Sequence, residues 1–442
     1  MKNKSQSKRN NLLKLLVVVV DLLLINFSYV LSFYIRFAGD IPAYNFVPFL
    51  QTTPFITLSS VIYIDLFGLL KFFRRSRRSV ASSVLNLVFM QALTTTCFAY
   101  FLQQYPFPRT VILLAPFLQL TLLTAWNWLM LTMRDRFTEI THAMVVGEKH
   151  EADAIFERLA HSSLEKKMYI KYVFAPSDYE TIMKCIPKSD EILLCSKLSE
   201  DLKMEILMKC MDQQKVVYLV PEVFEISLLN TRVIHLDDMP MLMLDRLSLS
   251  FEQRFFKRSF DLITTCVAIP FLIPFFAIIA CLIKLSSSGS VFYRQDRVTT
   301  GGRIYRIYKF RTMIENAEAE SGPILSGKDD ARVTKLGRFL RRYRIDELPQ
   351  LINVLKGDMS LVGPRSERPY FVEQFNQNID GYELRNNVKS GLTGYAQIFG
   401  NYNTSAEYKL KYDILYIKNY SLLLDIKLIF QTFHAILTKG SA

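Results

Sequence analysis

Cysteine and histidine are scarce in this 442-residue chain, which contains six cysteines and five histidines. No two cysteines form a C-x-x-C pair and none has a neighbouring histidine, so the sequence offers neither a zinc-site pattern nor a disulfide framework. Several of the cysteines lie in or near apolar runs, where cysteine acts as a small hydrophobic residue. This usage suits a chain whose bulk lies in the reducing cytoplasm.

Acidic residues are too few to balance the basic ones, since 41 Asp and Glu face 54 Lys and Arg and leave a formal charge of +13. A soluble protein with this charge would be a candidate nucleic-acid binder. Half of the residues are hydrophobic, however, and the mean hydropathy is +0.16. Long apolar runs with basic flanks favour a membrane protein whose cationic edges meet the head groups of a lipid bilayer. No nucleic-acid partner is expected.

Four apolar runs near the N-terminus are each close to the ~20 residues that a bilayer requires. The first reads LLKLLVVVVDLLLINFSYVLSFYI, and the others lie at roughly 46–70, 80–103 and 110–133. Basic residues precede the first run and follow the second and the fourth, whereas the opposite loops hold little beyond Arg36 and Arg109. The positive-inside rule therefore predicts a four-helix transmembrane bundle with both of its ends in the cytoplasm.

Residues 143–225 change in character, because short β-branched runs alternate there with helical stretches. The runs are AMVVG, YIKYVFA, EILLC and KVVYLV. This alternation predicts a parallel sheet with crossover helices, that is, a Rossmann-like central module. A dinucleotide site would need G-x-G-x-x-G after the first strand, but Gly147 stands alone. We interpret the module as structural or regulatory; an oxidoreductase acting on nucleotide sugars is the alternative.

The fifth apolar run, KRSFDLITTCVAIPFLIPFFAIIACLIKL, differs from the first four. Pro270 and Pro274 interrupt its middle and would kink a helix, and both of its ends are basic. A simple crossing would also place the large charged C-terminal part outside the cell, away from cytoplasmic nucleotides. These features predict a re-entrant membrane helix that bends at the prolines and returns, with an ordinary kinked span as the alternative.

Two basic stretches follow the fifth run. YRIYKFRTM (305–313) alternates aromatic and basic residues, as a phosphate-facing strand would, although such stripes are more often solvated faces. ARVTKLGRFLRRYR (331–344) predicts a helix with four apolar residues on one side. They are Leu336, Phe339, Leu340 and Tyr343. The helix would lie on an anionic membrane surface, or equally pack as an amphipathic helix of a soluble domain.

Two adjacent acids, Asp346 and Glu347, open the stretch DELPQLINVLKG. Pro349 favours a first helical turn and Gly357 suits the position just past the end, so the acids lie near a helix N-terminus. Acids at such a position are usually only caps or dipole partners. Here the neighbouring arginines also suit a diphosphate. One carboxylate could then attack phosphorus and the other hold Mg²⁺.

From about Lys257 to its end the chain resembles the bacterial sugar transferases, the polyprenyl-phosphate hexose-1-phosphate transferases. Seven ordered motifs carry the resemblance: KRSFD, IKLSSSGSVFYRQDRV, YKFRTM, RVTKLGRFLRR, DELPQLINVLKGDMSLVGPR, GLTGYAQ and YDILYIKNYSLLLDIKLI. The resemblance implies transfer of a hexose 1-phosphate, glucose or galactose, from a UDP-sugar to undecaprenyl phosphate with release of UMP. It also implies a place in the bacterial inner membrane, with a cytoplasmic catalytic face, at the start of capsule, exopolysaccharide or O-antigen synthesis.

The family pattern implies roles for individual residues. Asp346 maps to the nucleophile, which forms a phosphosugar-aspartyl intermediate, and Glu347 to a ligand of the essential Mg²⁺. The other mapped residues lie in substrate-binding motifs and at the membrane break: Lys309 and Arg311 of KFR, Arg365 of GPR, Asp413 and Tyr416 of D-x-x-Y, and Pro274, to which Pro270 adds. Ser366 departs from the family's second proline after Arg365, which would loosen that loop, and Ile273 replaces a frequent serine before the breaking proline.

The predicted fold class is a membrane protein with α plus α/β content. The transmembrane bundle is assigned to 1–136, the Rossmann-like cytoplasmic module to 137–250, and the re-entrant helix with a mostly helical catalytic domain to 251–442. The bundle and the module suggest a homodimer. A non-catalytic scaffold or regulator of polysaccharide assembly is the alternative to an enzyme.

Overall fold

The computed structural model describes most of the chain as two compact units, Met1–Val220 and Pro221–Ala442. The described residues are 2–69, 77–102, 106–137, 141–160, 168–237, 239–244, 246–286, 289–314, 330, 332–400 and 404–439. Each unit has its own core. The segment 221–250, assigned to the central module from the sequence, belongs to the second unit, where Ile226 and Leu249 are buried in the core.

Four long helices begin the first unit: α1 (Lys2–Phe37), α2 (Ala43–Leu66), α3 (Arg77–Phe101) and α4 (Arg109–Phe137). Buried polar side chains join them. The Tyr29 hydroxyl lies 2.7 Å from the Thr95 hydroxyl, and Asn127 Nδ2 donates to Asp21 Oδ1 at 3.0 Å. Such bonds between helices hold apolar segments together where water cannot compete.

Within the described residues, five helices are long and apolar enough to cross a membrane. They are Leu13–Phe37, Ala43–Leu66, Val80–Phe101, Arg109–Arg134 and Phe251–Ser286. This agrees with the predicted apolar runs and supports a membrane protein. Large apolar side chains such as Leu58 and Phe117 are exposed along these helices, as expected for helices that contact lipid.

A four-stranded parallel sheet completes the first unit, as the alternating pattern predicts. Its elements are β1 (Thr141–Val146), α5 (Lys149–Ala160), β2 (Met168–Phe174), α6 (Tyr179–Cys185), β3 (Glu191–Leu194), α7 (Glu200–Asp212) and β4 (Val216–Leu219), and the strand order is β2-β1-β3-β4. The central strands are apolar and fully buried at Met144, Val146 and Ile192. Gly147 follows β1 where any Cβ would collide with the Cys195 side chain, so this glycine serves close packing.

The second unit consists mostly of short helices and strands. They are α8 (Val223–Ser227), β5 (Arg232–Leu236), β6 (Met239–Met243), α9 (Phe251–Ser286), β7 (Phe292–Val298), β8 (Ile304–Phe310), α10 (Lys335–Arg342), α11 (Leu351–Lys356), β9 (Ser360–Val362), α12 (Pro369–Asn378), β10 (Gly391–Thr393), α13 (Tyr395–Phe399), α14 (Ala406–Lys418) and α15 (Leu422–Lys439). Strands β7 and β8 form an antiparallel hairpin, and β9 and β10 pair in parallel. Three 3-10 helices lie between these elements among the described residues: Thr300–Gly302, Ile345–Gln350 and Tyr382–Asn387.

Helix α9 is continuous for 36 residues through Pro270 and Pro274. Near its start three polar side chains bond the rest of the unit. Lys257 Nζ lies 2.6 Å from Asp425 Oδ2 on α15, and Asp261 accepts hydrogen bonds from Ser360 Oγ at 2.7 Å and from the Leu361 amide at 3.1 Å. Arg258 donates to the last carbonyls of α11, those of Val354 and Leu355.

The other half of α9 packs against a different part of the same unit. Ile279 and Ile283 are buried with Phe310 of β8 and Leu340 of α10. Both halves of α9 thus contact elements next to the acidic pair: the first half contacts α11, and the second contacts β8 and α10. Between them the side chains of Phe271 and Ile273 are exposed.

We predict that replacing Asp261 with alanine strongly destabilises the second unit. The substitution leaves the Ser360 hydroxyl and the Leu361 amide buried without their acceptor, which costs about 2–4 kcal/mol. The thermal unfolding midpoint of the detergent-solubilised protein checks this. Asp261→Asn, which keeps one acceptor oxygen, should lose less than Asp261→Ala, and equal midpoints for both variants and the wild type would contradict the assignment.

Candidate active site

Three chain segments meet at the predicted acidic pair. Lys309 comes from β8, Asp346 and Glu347 from the 3-10 helix that precedes α11, and Arg365 from the loop after β9. Lys309 Nζ lies 3.0 Å from Glu347 Oε1, and Arg365 Nη2 donates to the same oxygen at 2.9 Å. We call Lys309, Glu347 and Arg365 the Glu347 cluster.

The local backbone brings the two acids into the cluster by a sharp turn. Arg344 has φ 53°, a left-handed conformation that costs a non-glycine residue roughly 1–2 kcal/mol. This turn ends α10 and begins the 3-10 helix with the acids in its first turn. Pro349 follows, and Gly357, at φ 88°, ends α11 as the sequence predicts. The predicted single helix is therefore a 3-10 turn followed by α11.

Asn353 of α11 fixes β8 beside the acids. Its side chain is completely buried. Its Oδ1 accepts from the Tyr308 amide at 3.0 Å and its Nδ2 donates to the Arg306 carbonyl at 2.8 Å. The Asn353 side chain thus makes hydrogen bonds to the β8 backbone like those that a neighbouring strand would make. These bonds hold β8 so that Lys309, the residue after Tyr308, lies beside Glu347.

The two adjacent carboxyls differ in their electrostatics. Burial alone would raise the pKa of Glu347, but the positive charges of Arg365, Lys309 and Arg344 outweigh it and hold that pKa well below its usual range. Burial, together with the negative charge of Glu347, raises the pKa of Asp346. The Glu347 carboxylate therefore ionises more readily and is paired with cations, while Asp346 is the more basic of the two carboxyls.

The accessible part of the cluster is cationic. Asp346 and Glu347 are 8 % and 7 % exposed, whereas 41 % of the Arg365 side chain is exposed. Arginine has five N–H donors in a planar fork, so Arg365 can bond Glu347 and still offer donors to a phosphate. The site can therefore receive an anionic group next to the Asp346 carboxyl.

Helix α10 packs closely against the strand that carries Lys309. The backbone amide of Thr334 donates to the Thr312 carbonyl, and the Thr334 hydroxyl caps the helix at the Gly337 amide. Arg341 Nε donates to the Thr312 hydroxyl at 2.8 Å. Of the predicted apolar face, Leu340 is buried and Phe339 is exposed. Helix α10 thus packs on the unit through Leu340, while the aromatic side chain of Phe339 is exposed on the surface.

The remaining predicted site residues lie deeper. Arg311 is nearly buried just beyond β8, and its amide donates to the Val291 carbonyl. Asp413 and Tyr416 of α14 are each 1 % exposed. Asp413 Oδ2 lies 2.8 Å from Arg385 Nη2, and the Tyr416 hydroxyl donates to Asp425 Oδ1.

Sequence reasoning missed Arg385 and Asp425, which are the partners of Asp413 and Tyr416. Burial raises the pKa of Asp413 to about 6 although Arg385 opposes the rise. An acid inside the apolar run LLLDIKLI was a usable signal for Asp425, because a buried carboxylate needs a partner. Nothing in the stretch YELRNNV marks Arg385 in the same way.

We predict that Gly337→Ala destabilises the protein, since the added Cβ would meet the Thr312 carbonyl oxygen at 2.0 Å. Separating α10 from this backbone should cost roughly 1–3 kcal/mol. Thermal unfolding in detergent checks this, with Lys335→Ala on the exposed side of the same helix as the control. An unfolding midpoint no lower than that of the control would refute the close approach.

Comparison with known proteins adds an independent finding. A family model described as bacterial sugar transferase matches residues 252–439. Among curated relatives, UDP-N-acetylgalactosamine-undecaprenyl-phosphate N-acetylgalactosaminephosphotransferase of Aeromonas hydrophila is 46% identical over 187 residues, 42% of this chain and 44% of the relative. UDP-glucose:undecaprenyl-phosphate glucose-1-phosphate transferase of Escherichia coli K12 is 39% identical over 221 residues, 49% of this chain and 47% of the relative.

These two matches span less than half the length of the relatives. A longer match exists to the UDP-glucose:undecaprenyl-phosphate glucose-1-phosphate transferase of Xanthomonas campestris pv. campestris, which is 30% identical over 335 residues, 70% of this chain and 69% of the relative. The similarity therefore extends well beyond the unit that holds the acidic pair. On this evidence the chain belongs to the bacterial sugar transferase family.

Proposed function

We propose that the protein transfers a hexose 1-phosphate from a UDP-sugar to undecaprenyl phosphate and releases UMP. The observation that carries this proposal is that Asp346, a candidate nucleophile with a raised pKa, lies directly beside the Glu347 cluster and its cations. The names of the relatives point to the same reaction class. They add N-acetylgalactosamine to glucose and galactose as candidate donor sugars.

In the first step a carboxylate oxygen of Asp346 attacks the phosphorus that bears the sugar. A bond forms between this oxygen and phosphorus as the bond to the bridging oxygen breaks, and UMP leaves with that electron pair. Arg365 and Lys309 hold the negative charge of the diphosphate throughout, because their positions are already set by Glu347. The raised pKa of Asp346 makes its carboxylate a better nucleophile than an exposed one.

In the second step an oxygen of undecaprenyl phosphate attacks the same phosphorus. The bond to the Asp346 oxygen breaks, so the carboxylate is restored and the lipid carries a sugar diphosphate. Burial of Asp346 and Glu347 limits the access of water, which would otherwise hydrolyse the phosphosugar-aspartyl intermediate. The same carboxylate therefore serves both transfers.

Mg²⁺ is the metal that we propose for this site. Among the described residues no group of three or more His, Cys, Asp or Glu could hold a metal ion. Asp346 and Glu347 supply two adjacent carboxylates, and Mg²⁺ is commonly held by one or two carboxylates together with substrate phosphates. When bound, Mg²⁺ would offset phosphate charge during transfer. Lys309 and Arg365 both contact Glu347 through Oε1, so Oε2 is the oxygen we assign to the metal.

The proposed setting is the bacterial inner membrane, with the catalytic unit on the cytoplasmic face. The basic flanks of the first four helices support a transmembrane bundle whose two ends are cytoplasmic. A cytoplasmic catalytic unit would have access to soluble UDP-sugars. The lipid phosphate would reach the same site from the head-group plane.

We propose further that α9 enters and leaves the membrane on one side. A straight helix of 36 residues is ~54 Å long, well beyond the ~30 Å apolar core of a bilayer. Lys257 near its start and Ile283 near its end both pack against the catalytic unit, and this packing supports ends on the same side of a membrane. The exposed apolar side chains between them, around Pro270 and Pro274, would lie in lipid.

We predict that Asp346→Asn reduces UMP release by at least about 10³-fold, because the amide cannot act as the nucleophile. The measurement is UMP formation by detergent-solubilised protein given undecaprenyl phosphate and its donor. Asp296→Asn, an exposed acid of β7, is the matched control and should keep wild-type activity. Normal turnover by Asp346→Asn would exclude the covalent mechanism.

We also predict that UMP release depends on Mg²⁺ and on one donor sugar. Protein supplied with UDP-glucose, UDP-galactose or UDP-N-acetylgalactosamine should release UMP from one of them, and EDTA should abolish the release until Mg²⁺ is restored. Release that EDTA leaves unchanged would remove the metal from the proposal. Folded protein that releases no UMP from any donor would favour a non-catalytic scaffold.

A further inference from the structure

A buried arginine lies directly behind the Glu347 cluster. Arg385, on the 3-10 helix Tyr382–Asn387, is only 3 % exposed. Its Nη2 donates to the backbone carbonyl of Arg365 at 2.8 Å and lies 2.8 Å from Asp413 Oδ2. Its Nη1 donates to the Tyr382 hydroxyl. One guanidinium therefore joins three different parts of the second unit.

Stability alone does not account for the buried ion pair of Arg385 and Asp413. Burying two charges removes them from water, and a buried ion pair is often no more stable than a well-packed apolar pair of the same volume. What an apolar pair could not supply is the hydrogen bond to the Arg365 carbonyl. The specific property of Arg385 is thus its hold on the backbone of a residue in the site.

The loop that carries Arg365 depends on hydrogen bonds from outside to fix its backbone. Ser366 stands where the family pattern has a second proline, so the loop lacks that restriction on its backbone. Arg297 Nη1 donates to the Ser366 carbonyl at 2.9 Å. Two arginines therefore bond consecutive carbonyls of the loop, at Arg365 and Ser366, from inside the unit.

We propose that Arg385, held in place by Asp413, is a positioning residue for Arg365. It fixes the Arg365 backbone so that the side chain reaches Glu347 and the diphosphate of the donor at once. This inference rests on the proposed function, since it assigns Arg385 to the site of the transfer. Asp413, matched to a substrate-binding motif from the sequence, then acts through Arg385 instead of touching the substrate.

A cycle of variants tests the proposal through kcat for UMP release. The double substitution Arg385→Met with Asp413→Leu removes both buried charges together and is made in the wild type and in Arg365→Ala. We expect kcat to fall about 10²-fold in the wild-type background, the loss that a displacement of about 1 Å can cause. In the Arg365→Ala background the same change should lower kcat less than about threefold, because Arg385 acts through the side chain already removed.

Structural and functional failure are distinguishable in this cycle. Thermal unfolding in detergent is measured for every variant. If the double substitution does not fold, Arg385→Lys replaces it in both backgrounds, because lysine keeps the charge but lacks the planar fork that serves two acceptors. Equal losses of kcat in both backgrounds, or an unchanged kcat, would overturn the proposal. Wild-type protein that releases no UMP would instead overturn the proposed function, and this inference with it.

Discussion

The interaction on which the site depends is the pair of contacts that Lys309 and Arg365 make with one oxygen of Glu347. These residues are 38 and 18 positions away from Glu347 in the chain, so a single carboxylate joins a strand, a 3-10 turn and a loop. The same contacts keep Glu347 ionised in a buried place. Burial, together with the negative charge of the ionised Glu347, raises the pKa of Asp346. The pKa values of the two neighbouring carboxyls thus shift in opposite directions, because the cations contact Glu347.

The apolar helix α9 is part of the same construction. Its polar side chains bond α11, β9 and α15, while its C-terminal half packs with β8 and α10. Of these elements, β8 carries Lys309, and α11 directly follows the 3-10 helix that carries Asp346 and Glu347. In the proposed membrane setting, α9 is thus connected to the acidic pair by packing within the same unit. A site built in this way keeps a fixed position relative to the helix, and the proposed reaction between a soluble nucleotide and a lipid phosphate would depend on that position.

Local patterns in the sequence were sufficient to predict the long helices, the parallel sheet and the end of α11. Apolar length predicts the long helices, alternating β-branched runs predict the parallel sheet, and Gly357 predicts the end of α11. The partners of individual charges were not predictable in this way. The chain has 54 basic residues, and nothing local distinguishes Lys309 as a partner of Glu347 or Arg385 as a partner of Asp413. Such pairs depend on the tertiary structure, where desolvation makes any wrong pairing costly.

This chain departs from its family pattern at Ser366, and two arginines that the sequence did not single out bond the backbone at that point. A proline restricts the backbone through its own ring, whereas here hydrogen bonds from Arg297 and Arg385 restrict it from outside. The hydrogen bond from Arg385 depends on the position of its guanidinium, which pairs with the Asp413 carboxylate. Burial raises the pKa of Asp413 to about 6, so the carboxylate that holds Arg385 begins to take up a proton just below neutral pH. The geometry of Arg365 is therefore tied to the charge of a residue that has no need to touch the substrate.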